Sequence, residues 1–280
     1  MYLKIIYIVL LLFTTQNTLL GSNDSIPKDA IPFQKFKGNV ILDGYINDSI
    51  PIKALLDIGA WGIAVPRKHT PHTPDNVKFS IGKWSRILPS TYMEETDQLL
   101  KWYGSDCVLL GWDFFENKVL EISYKHNYIR VLNRHELATL SKYDCIKFAN
   151  KGKRLIVPAY VNIDGKIING NYWIDTGLNG TVFFTNNILT EHNININKTR
   201  KGRAKNLSTN RTSVNVLKVD AVQIGNSRVS DTEIIFSESE WFVFKKNDLY
   251  IGLIGNQFFQ GFSVIFDFFE NNLYLKPVED

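Results

Sequence analysis

The feature that most constrains this chain is an apolar segment that runs straight into an Asp-x-Gly turn, because the chain contains it twice. The first copy covers residues 54–60 and carries Asp57, and the second covers residues 171–177 and carries Asp175. A carboxylate at the end of a buried strand is costly unless hydrogen bonds or chemistry compensate for it. Asp-x-Gly is also ordinary turn chemistry, so one such turn alone is compatible with a structural role. Two of them predict a duplicated lobe.

The composition is that of a globular, β-rich protein and counts against several functions. Hydrophobic residues make up 44% and charged residues 21% of the 280 positions, which is ordinary globular usage, and the aromatic share of 13% is typical of β-rich chains. A net charge of +4 is too small to indicate a nucleic-acid partner. The sequence contains no phosphate-cradling glycine loop and no Gly-x-Ser-x-Gly elbow. Nucleotide-binding enzymes and serine hydrolases of that type are therefore disfavoured.

The N-terminus predicts export. Lys4 precedes an apolar run at residues 5–13, and a polar stretch follows as far as Ser22. Nine apolar residues are too few to span a bilayer but suit the core of a signal peptide, which we place at residues 1–22. The mature protein would then be periplasmic, in the cell envelope or extracellular, with no integral membrane span. The alternative is an uncleaved anchor, formed if the apolar run extends through Leu20.

Beyond this segment, one order of elements occurs twice. Each unit begins with a hairpin, continues through the strand that ends at the Asp turn, and closes with an apolar-Gly segment and two further strands. We predict an N-terminal lobe at residues 31–132, a linker at residues 133–143 and a C-terminal lobe at residues 144–280. Cys107 and Cys145 are the only cysteines, and whether they form a disulfide is left open by the sequence.

The two units differ in one spacing. Ile81 lies 24 residues after Asp57, whereas the matching Ile224 lies 49 residues after Asp175, a difference of 25. The additional residues include a polar, basic stretch and an alternating apolar segment. Such a composition predicts a long hairpin with a polar tip that projects over Asp175.

Four motifs carry a resemblance to a known family. Each unit pairs its Asp turn with a downstream apolar-apolar-Gly segment: Leu56-Asp57-Ile58-Gly59-Ala60 with Leu109-Leu110-Gly111, and Ile174-Asp175-Thr176-Gly177 with Leu253-Ile254-Gly255. With these motifs in this order, the chain from about Ile31 onward resembles the pepsin and retropepsin class of aspartic proteases. It is most similar to bacterial aspartyl proteases of the gag-polyprotein type.

The resemblance implies an all-β fold with two similar lobes and a cleft between them. In that class Asp57 and Asp175 would form a catalytic dyad, in which two carboxylates about 3 Å apart share one proton. Gly59 and Gly177 would let the two turns approach each other, and Thr176 would bond the backbone of the opposite lobe. The implied activity is hydrolysis of a peptide or protein substrate without a metal or a cofactor, by a monomer with an internal pseudo-twofold axis.

The sequence departs from the family pattern at both turns. Ile58 stands where the first turn would carry Thr, so the first lobe cannot form the hydrogen bond to the opposite backbone that Thr176 would form from the second lobe. Ala60 and Leu178 stand where pepsins usually carry a hydroxyl that bonds the ionised carboxylate. Fewer bonds to the charged form should raise the pKa values of the dyad, which predicts activity at mildly acidic to neutral pH. The alternatives are a pseudo-protease that binds peptides or a cell-envelope partner, and a structural envelope protein.

The extra segment of the second unit resembles a flap, the hairpin that closes over substrate, and we place it between Leu189 and Val219. Its basic residues either favour acidic substrates or form a solvated hairpin tip: Lys198, Arg200, Lys201, Arg203 and Lys205.

Two further groups of side chains leave alternatives open. Three tryptophans beside the motifs either line a substrate groove or pack in the core and the lobe interface: Trp61, Trp112 and Trp173. A cluster in a Pro-rich segment is either part of a metal site or a surface loop: His69, His72 and Asp75.

Overall fold

The computed structural model describes residues 26–72, 75–93, 96–97, 106–137, 140–205, 211–237 and 249–278. The predicted signal peptide at residues 1–22 lies outside the described residues. The chain is mostly β and forms two barrel-like lobes, which confirms the predicted all-β, two-lobe, acid-protease-like fold class. None of the helices among the described residues is long and apolar enough to cross a membrane.

The first lobe is a sheet that closes on itself. β2 pairs with β3 on one side and with β5 on the other, so six strands in the order β2-β3-β7-β4-β6-β5 complete a barrel, with β1, β9 and β8 continuing from its edge. Its strands are β1 (Ile31–Phe36), β2 (Asn39–Ile46), β3 (Ile50–Asp57), β4 (Ile63–Val65), β5 (Asn76–Ile81), β6 (Trp84–Tyr92), β7 (Cys107–Gly111), β8 (Val119–Ser123) and β9 (Tyr128–Leu132). Short 3₁₀ turns lie at Arg67–His72, Trp112–Phe115 and Arg134–Glu136.

The second lobe repeats this barrel and adds one strand. The corresponding order is β12-β13-β18-β14-β17-β16, closed by pairing of β16 with β12, and β15 extends beyond it. After β10 (Asp144–Lys147), its elements are β11 (Ala149–Lys151), β12 (Arg154–Ile163), β13 (Lys166–Asp175), β14 (Val182–Thr185), α1 (Asn187–Glu191), a 3₁₀ turn at Ile196–Lys198, β15 (Arg200–Lys205), β16 (Arg211–Ile224), β17 (Ser227–Ser237), β18 (Gly252–Gly255) and α2 (Asn256–Phe259).

The last two strands tie the lobes together. β19 (Phe262–Asp267) pairs with β8 of the first lobe, and β20 (Asn272–Pro277) pairs with β19 and β10. They therefore belong to the sheet of the first lobe, although they follow the second barrel in sequence. The residues predicted as a linker, 133–143, contain a 3₁₀ turn and lead into β10; residues 138–139 lie outside the described residues.

Alternation of apolar residues explains why these segments form strands with one buried face. Along β13, the side chains of Ile168, Tyr172 and Ile174 are fully buried in the barrel interior. Residues at every second position of a strand share a face, so the intervening Trp173 and the terminal Asp175 lie on the opposite face. That face is the one that carries the site.

The core of each barrel also fixes where the Asp turns lie. β3 runs parallel to β7 with Asp57 beside Gly111, and β13 runs parallel to β18 with Asp175 beside Gly255. Each carboxylate thus stands at the end of a strand, next to the glycine of an apolar-apolar-Gly segment. Glycine at this position lets β18 lie close to the turn that follows Asp175, because a Cβ on Gly255 would lie 2.3 Å from the carbonyl oxygen of Gly180.

Candidate active site

The structure brings the two Asp turns together between the lobes. Asp57, at the end of β3, and Asp175, at the end of β13, lie so close that the amide of Gly177 donates a hydrogen bond to the carboxylate of Asp57. Both residues keep partial solvent exposure.

Glycine is required at both turns because each contacts the carboxylate of the other lobe. A Cβ built on Gly59 would lie 2.8 Å from Cγ of Asp175, and one built on Gly177 would lie 2.5 Å from Oδ2 of Asp57. Neither contact can be relieved by a flexible chain end, since the short carboxylates are themselves held by hydrogen bonds. The role of these two glycines in supporting a catalytic pair stays a prediction.

Backbone amides hold the carboxylates in place. Asp57 Oδ1 accepts hydrogen bonds from the amides of Gly59 at 2.8 Å and of Gly177 at 3.2 Å, the second of which comes from the opposite lobe. Asp175 Oδ1 accepts one from the amide of Leu178 at 3.1 Å. Hydrogen bonds to the charged form favour ionisation. The first carboxylate is therefore the better stabilised as an anion.

Desolvation dominates the titration of both groups. Burial raises the pKa of Asp57 from its ordinary value, and the amides of Gly59 and Gly177 partly offset that rise. Burial also raises the pKa of Asp175 well above its ordinary value, and the negative charge of Asp57 raises it further. The two carboxyls therefore titrate as a pair, and the pKa is raised more for Asp175 than for Asp57.

Beside the two carboxylates, Thr176 of the second lobe forms hydrogen bonds to the backbone of the first lobe. The hydroxyl of Thr176 is buried, accepts a hydrogen bond from the amide of Ile58 at 2.8 Å and donates to the carbonyl of Leu56 at 3.1 Å. Ile58 itself is fully buried within the apolar core. Its apolar side chain needs no hydrogen-bond partner, and packing replaces the hydrogen bonds that a Thr at this position would make.

Two asparagines that sequence reasoning missed also join the lobes. Asn39 Nδ2 donates to the carbonyl of Gly177 at 2.7 Å. Buried Asn256 donates to the carbonyl of Gly38 and accepts from the hydroxyl of Tyr124 at 2.5 Å. The β1–β2 turn of the first lobe is thereby fixed against the Asp175 turn. The only signal in the sequence is position, because Asn39 ends a Lys-Gly-Asn turn and Asn256 directly follows an apolar-Gly segment.

Asp113, a third residue that sequence reasoning missed, stabilises the first Asp turn. Buried Asp113 accepts a hydrogen bond from the amide of Gly62 at 2.7 Å, and burial raises the pKa of its carboxyl. The bond fixes the backbone that follows Gly59 and Ala60.

The turn between β11 and β12 of the second lobe contacts the first lobe, as the β1–β2 turn of the first lobe contacts the second. The carbonyl of Lys153 in this turn accepts a hydrogen bond from Trp112 Nε1 at 2.9 Å. The ammonium of Lys153 lies 3.1 Å from the ring centroid of Trp61, and the guanidinium of Arg154 lies 4.9 Å from that of Trp173. The three tryptophans therefore differ: Trp112 is buried at the lobe interface, Trp173 is partly exposed and Trp61 is exposed.

An apolar cluster that combines buried and partly exposed side chains includes residues next to each carboxylate. In the second lobe its members are Ile156, Phe183, Tyr250, Leu253, Trp173, Leu178, Ile235 and Leu249. In the first lobe the corresponding cluster has as many members: Ile41, Leu55, Ala64, Cys107, Leu109, Phe36, Ala60 and Met93. Cys107 is buried there as a free thiol, and Cys145 is free and exposed on β10.

The hairpin of β15 and β16 overlaps the segment between Leu189 and Val219 where the flap was predicted, and β16 extends beyond it to Ile224. Two basic residues of that segment are neutralised, since Lys198 pairs with Asp164 at 2.6 Å and Arg200 pairs with Glu233 at 2.6 Å. Lys201 donates to Asn215 Oδ1 at 2.9 Å. The tip at residues 206–210 lies outside the described residues, as does the side chain of Lys205, and the role of the hairpin as a flap stays a prediction.

The possible metal ligands do not converge in the part of the chain that the structure describes. His69 Nε2 lies 3.2 Å from Asp106 Oδ2, and Lys68 also pairs with that carboxylate. The side chain of His72 lies outside the described residues. Across the described ranges, no group of three or more His, Cys, Asp or Glu side chains is placed to hold a metal ion.

Comparison with known proteins adds a distant relationship. No family model and no curated protein matches the chain. Among solved structures, a retropepsin-like aspartic protease from Rickettsia conorii matches 48% of this chain and 94% of its own, at 16% identity and a TM-score of 0.35. A likeness at this level indicates a distant fold relationship and carries no argument about activity.

Proposed function

We propose that the protein is an aspartic endopeptidase that hydrolyses peptide bonds with a water molecule activated by Asp57 and Asp175. The observation that carries the proposal is the close approach of two desolvated carboxyls contributed by pseudo-equivalent turns, in which the amide of Gly177 donates a hydrogen bond to Asp57. Two such groups cannot both ionise at low cost, so one is a base and the other an acid at the same pH.

The chemistry follows from this division of roles. The ionised carboxylate takes a proton from water as the water oxygen bonds to the carbonyl carbon, and the protonated carboxyl gives its proton to the carbonyl oxygen. The tetrahedral intermediate then collapses and the C–N bond breaks. The leaving nitrogen receives a proton from the carboxyl that had taken one from water, and the other carboxylate takes a proton back from a hydroxyl of the intermediate as the carbonyl re-forms. Both carboxyls return to their starting state after one turnover. No covalent bond to the protein forms at any step.

The cleft suits an extended peptide. Apolar clusters flank both carboxylates, and they would accept apolar side chains on either side of the scissile bond. The β15–β16 hairpin would hold the peptide backbone by strand-like hydrogen bonds from above. Because the chain supplies both carboxylates, the proposed active form is a monomer, acting after export directed by residues 1–22.

The alternative of a peptide-binding pseudo-protease depended on Ile58. No observation among the described residues favours that alternative. Ile58 is packed in the core, and the hydroxyl of Thr176 makes two hydrogen bonds to the backbone of the opposite lobe.

The direct test is cleavage of an unbiased peptide mixture by the purified protein between pH 3 and 8, beside Asp57→Asn and Asp175→Asn. We expect the wild type to cut and each variant to lose at least about 1,000-fold in kcat/KM, because the dyad acts as a unit. Asp43→Asn is the matched control, since Asp43 is an exposed carboxylate paired with Lys53. Undiminished cleavage by either dyad variant, or none by a folded wild type, would overturn the proposal.

A further inference from the structure

The turn between β11 and β12 is strongly basic and contacts Trp61 and Trp112 of the first lobe. It carries Lys151, Lys153 and Arg154 within four residues. No salt bridge within 4.0 Å joins any of the three to a carboxylate in the described part of the chain. The basic residues near the flap differ, because Lys198 and Arg200 each have an acidic partner.

Arg154 lies beside the strand that leads to Asp175. In the antiparallel pair of β12 and β13, the pairing ends with Ile156 opposite Trp173, two residues after Arg154. The guanidinium of Arg154 lies 4.9 Å from the ring centroid of Trp173. Trp173 shares its face of β13 with Asp175, because residues at every second position of a strand lie on one face.

Aromatic rings hold the two inner cations in place. Lys153 lies over Trp61, and Arg154 lies over Trp173. The hydrogen bond from Trp112 Nε1 to the carbonyl of Lys153 fixes the backbone between them. A charge that is already oriented loses little conformational entropy when a ligand binds.

Arg154 also has unused hydrogen-bonding capacity. Its Nε is buried but has no acceptor in the structure. A buried donor without a partner is costly, and a guanidinium offers a planar fork that matches a carboxylate. The unpaired donor, the oriented charge and the contact with Trp173, two residues before Asp175, all point to an anionic group on the ligand.

We propose that Lys153 and Arg154 form a subsite for an acidic side chain of the peptide substrate, within a few residues of the scissile bond. The inference rests on the proposed function for the position of the peptide, but the charge preference can be measured separately from catalysis. The geometry assigns the main contact to Arg154, whose guanidinium would bind the carboxylate in bidentate fashion, and a supporting charge to Lys153.

The first experiment uses cleavage. Peptides cut by the wild type are resynthesised as pairs that differ only by Glu or Gln at one position. We expect one position at which Glu is preferred, and Arg154→Gln to lower kcat/KM for the Glu peptide at least about tenfold, mainly through KM, with less than a twofold change for the Gln peptide. Arg154→Lys should keep part of the preference, and Lys218→Gln, which removes an exposed lysine paired with Asp231, should keep all of it.

The second experiment separates this inference from the proposed function. A positional peptide mixture is passed over immobilised Asp175→Asn protein with and without Arg154→Gln, and retained peptides are identified by mass spectrometry. Enrichment of Glu and Asp that disappears with Arg154→Gln supports the subsite even if the wild type cleaves nothing. Equal cleavage of Glu and Gln peptides, or retention without acidic enrichment, overturns the subsite while leaving peptide hydrolysis intact.

Discussion

At the scale of single residues, the site depends on the absence of side chains as much as on the carboxylates. Gly177 leaves room for Asp57, and Gly59 leaves room for Asp175, so the turn of each lobe is adapted to the carboxylate of the other. We predict that Gly177→Ala destabilises the fold by about 1–3 kcal/mol through overpacking. It should lower kcat/KM at least about 100-fold, since displacement of a reactive group by about 1 Å has that effect.

Urea unfolding and peptide cleavage measure the two effects, and Gly59→Ala should behave alike. The matched control is Gly261→Ala, because a Cβ at Gly261 meets no atom within 4 Å. A Gly177→Ala protein with wild-type activity would contradict the close approach of the two turns.

A second residue-scale prediction concerns pH and stability. Asp175 has a raised pKa in the folded protein because of burial and the charge on Asp57. Below the ordinary value of 3.8 both folded and unfolded states hold the proton, so there is no penalty. As the pH rises, the unfolded state ionises first and the wild type loses stability, at about 1.4 kcal/mol per unit of pKa difference. Asp175→Asn avoids this loss.

The stability of Asp175→Asn relative to wild type should therefore increase from pH 3 to pH 7 in urea unfolding. Asp48→Asn is a control of opposite sign. The hydrogen bond from Lys78 lowers the pKa of Asp48, so its carboxylate stabilises the fold above the ordinary pKa and its removal should cost stability as the pH rises. A constant difference for Asp175→Asn across this range would contradict the desolvation of the dyad.

At the scale of elements, the two barrels match strand for strand except for β15. The 25-residue difference in spacing predicted an additional hairpin, and the position of the hairpin follows from sequence because insertions between repeated elements must leave the barrel order intact. The sequence could not show that Lys198 and Arg200 are neutralised. Their partners, Asp164 and Glu233, are more than 30 positions away in the chain.

Shortening this hairpin tests its role directly. Replacing residues 203–213 with Asn-Gly keeps Gly202 opposite Val214 and supplies a two-residue hairpin turn. We predict that kcat/KM for peptides falls at least about tenfold, equivalent to about 1.4 kcal/mol, because strand-like contacts to the substrate backbone are lost. Thermal unfolding should change little, since the closed barrel excludes β15. Unchanged cleavage would mean that the hairpin does not act as a flap.

At the scale of the whole molecule, the lobes are joined more extensively than their sequence order indicates. The repeat of hairpin, Asp turn and closing strands was readable because each element is local and carries its own apolar pattern. The pairing of β19 with β8 was not readable, since a matching pattern does not specify which barrel a strand joins. Contacts such as Asn39 with Gly177 are undetectable for the same reason: they span 138 positions and involve residue types common in turns.

The same distinction applies to the candidate site. The proximity of Asp57 and Asp175 follows from a duplicated motif, because two pseudo-equivalent lobes place equivalent turns around one axis. The basic subsite at Arg154 does not, because its counterpart in the first lobe, Asn39, instead bonds the backbone of the opposite turn. The repeat fixes what the lobes share, and the differences between them arise from side-chain contacts across the interface.

The most direct measurement of the central claim is the pH dependence of kcat/KM for one cleaved peptide. Two carboxyls that share a proton predict a bell-shaped profile, whose two apparent pKa values belong to the pair. Burial raises the pKa of both groups, and neither Ala60 nor Leu178 supplies a hydroxyl to the anion. The optimum should therefore lie at mildly acidic to neutral pH. A profile with a single ionisation, or an optimum in strong acid, would contradict the account.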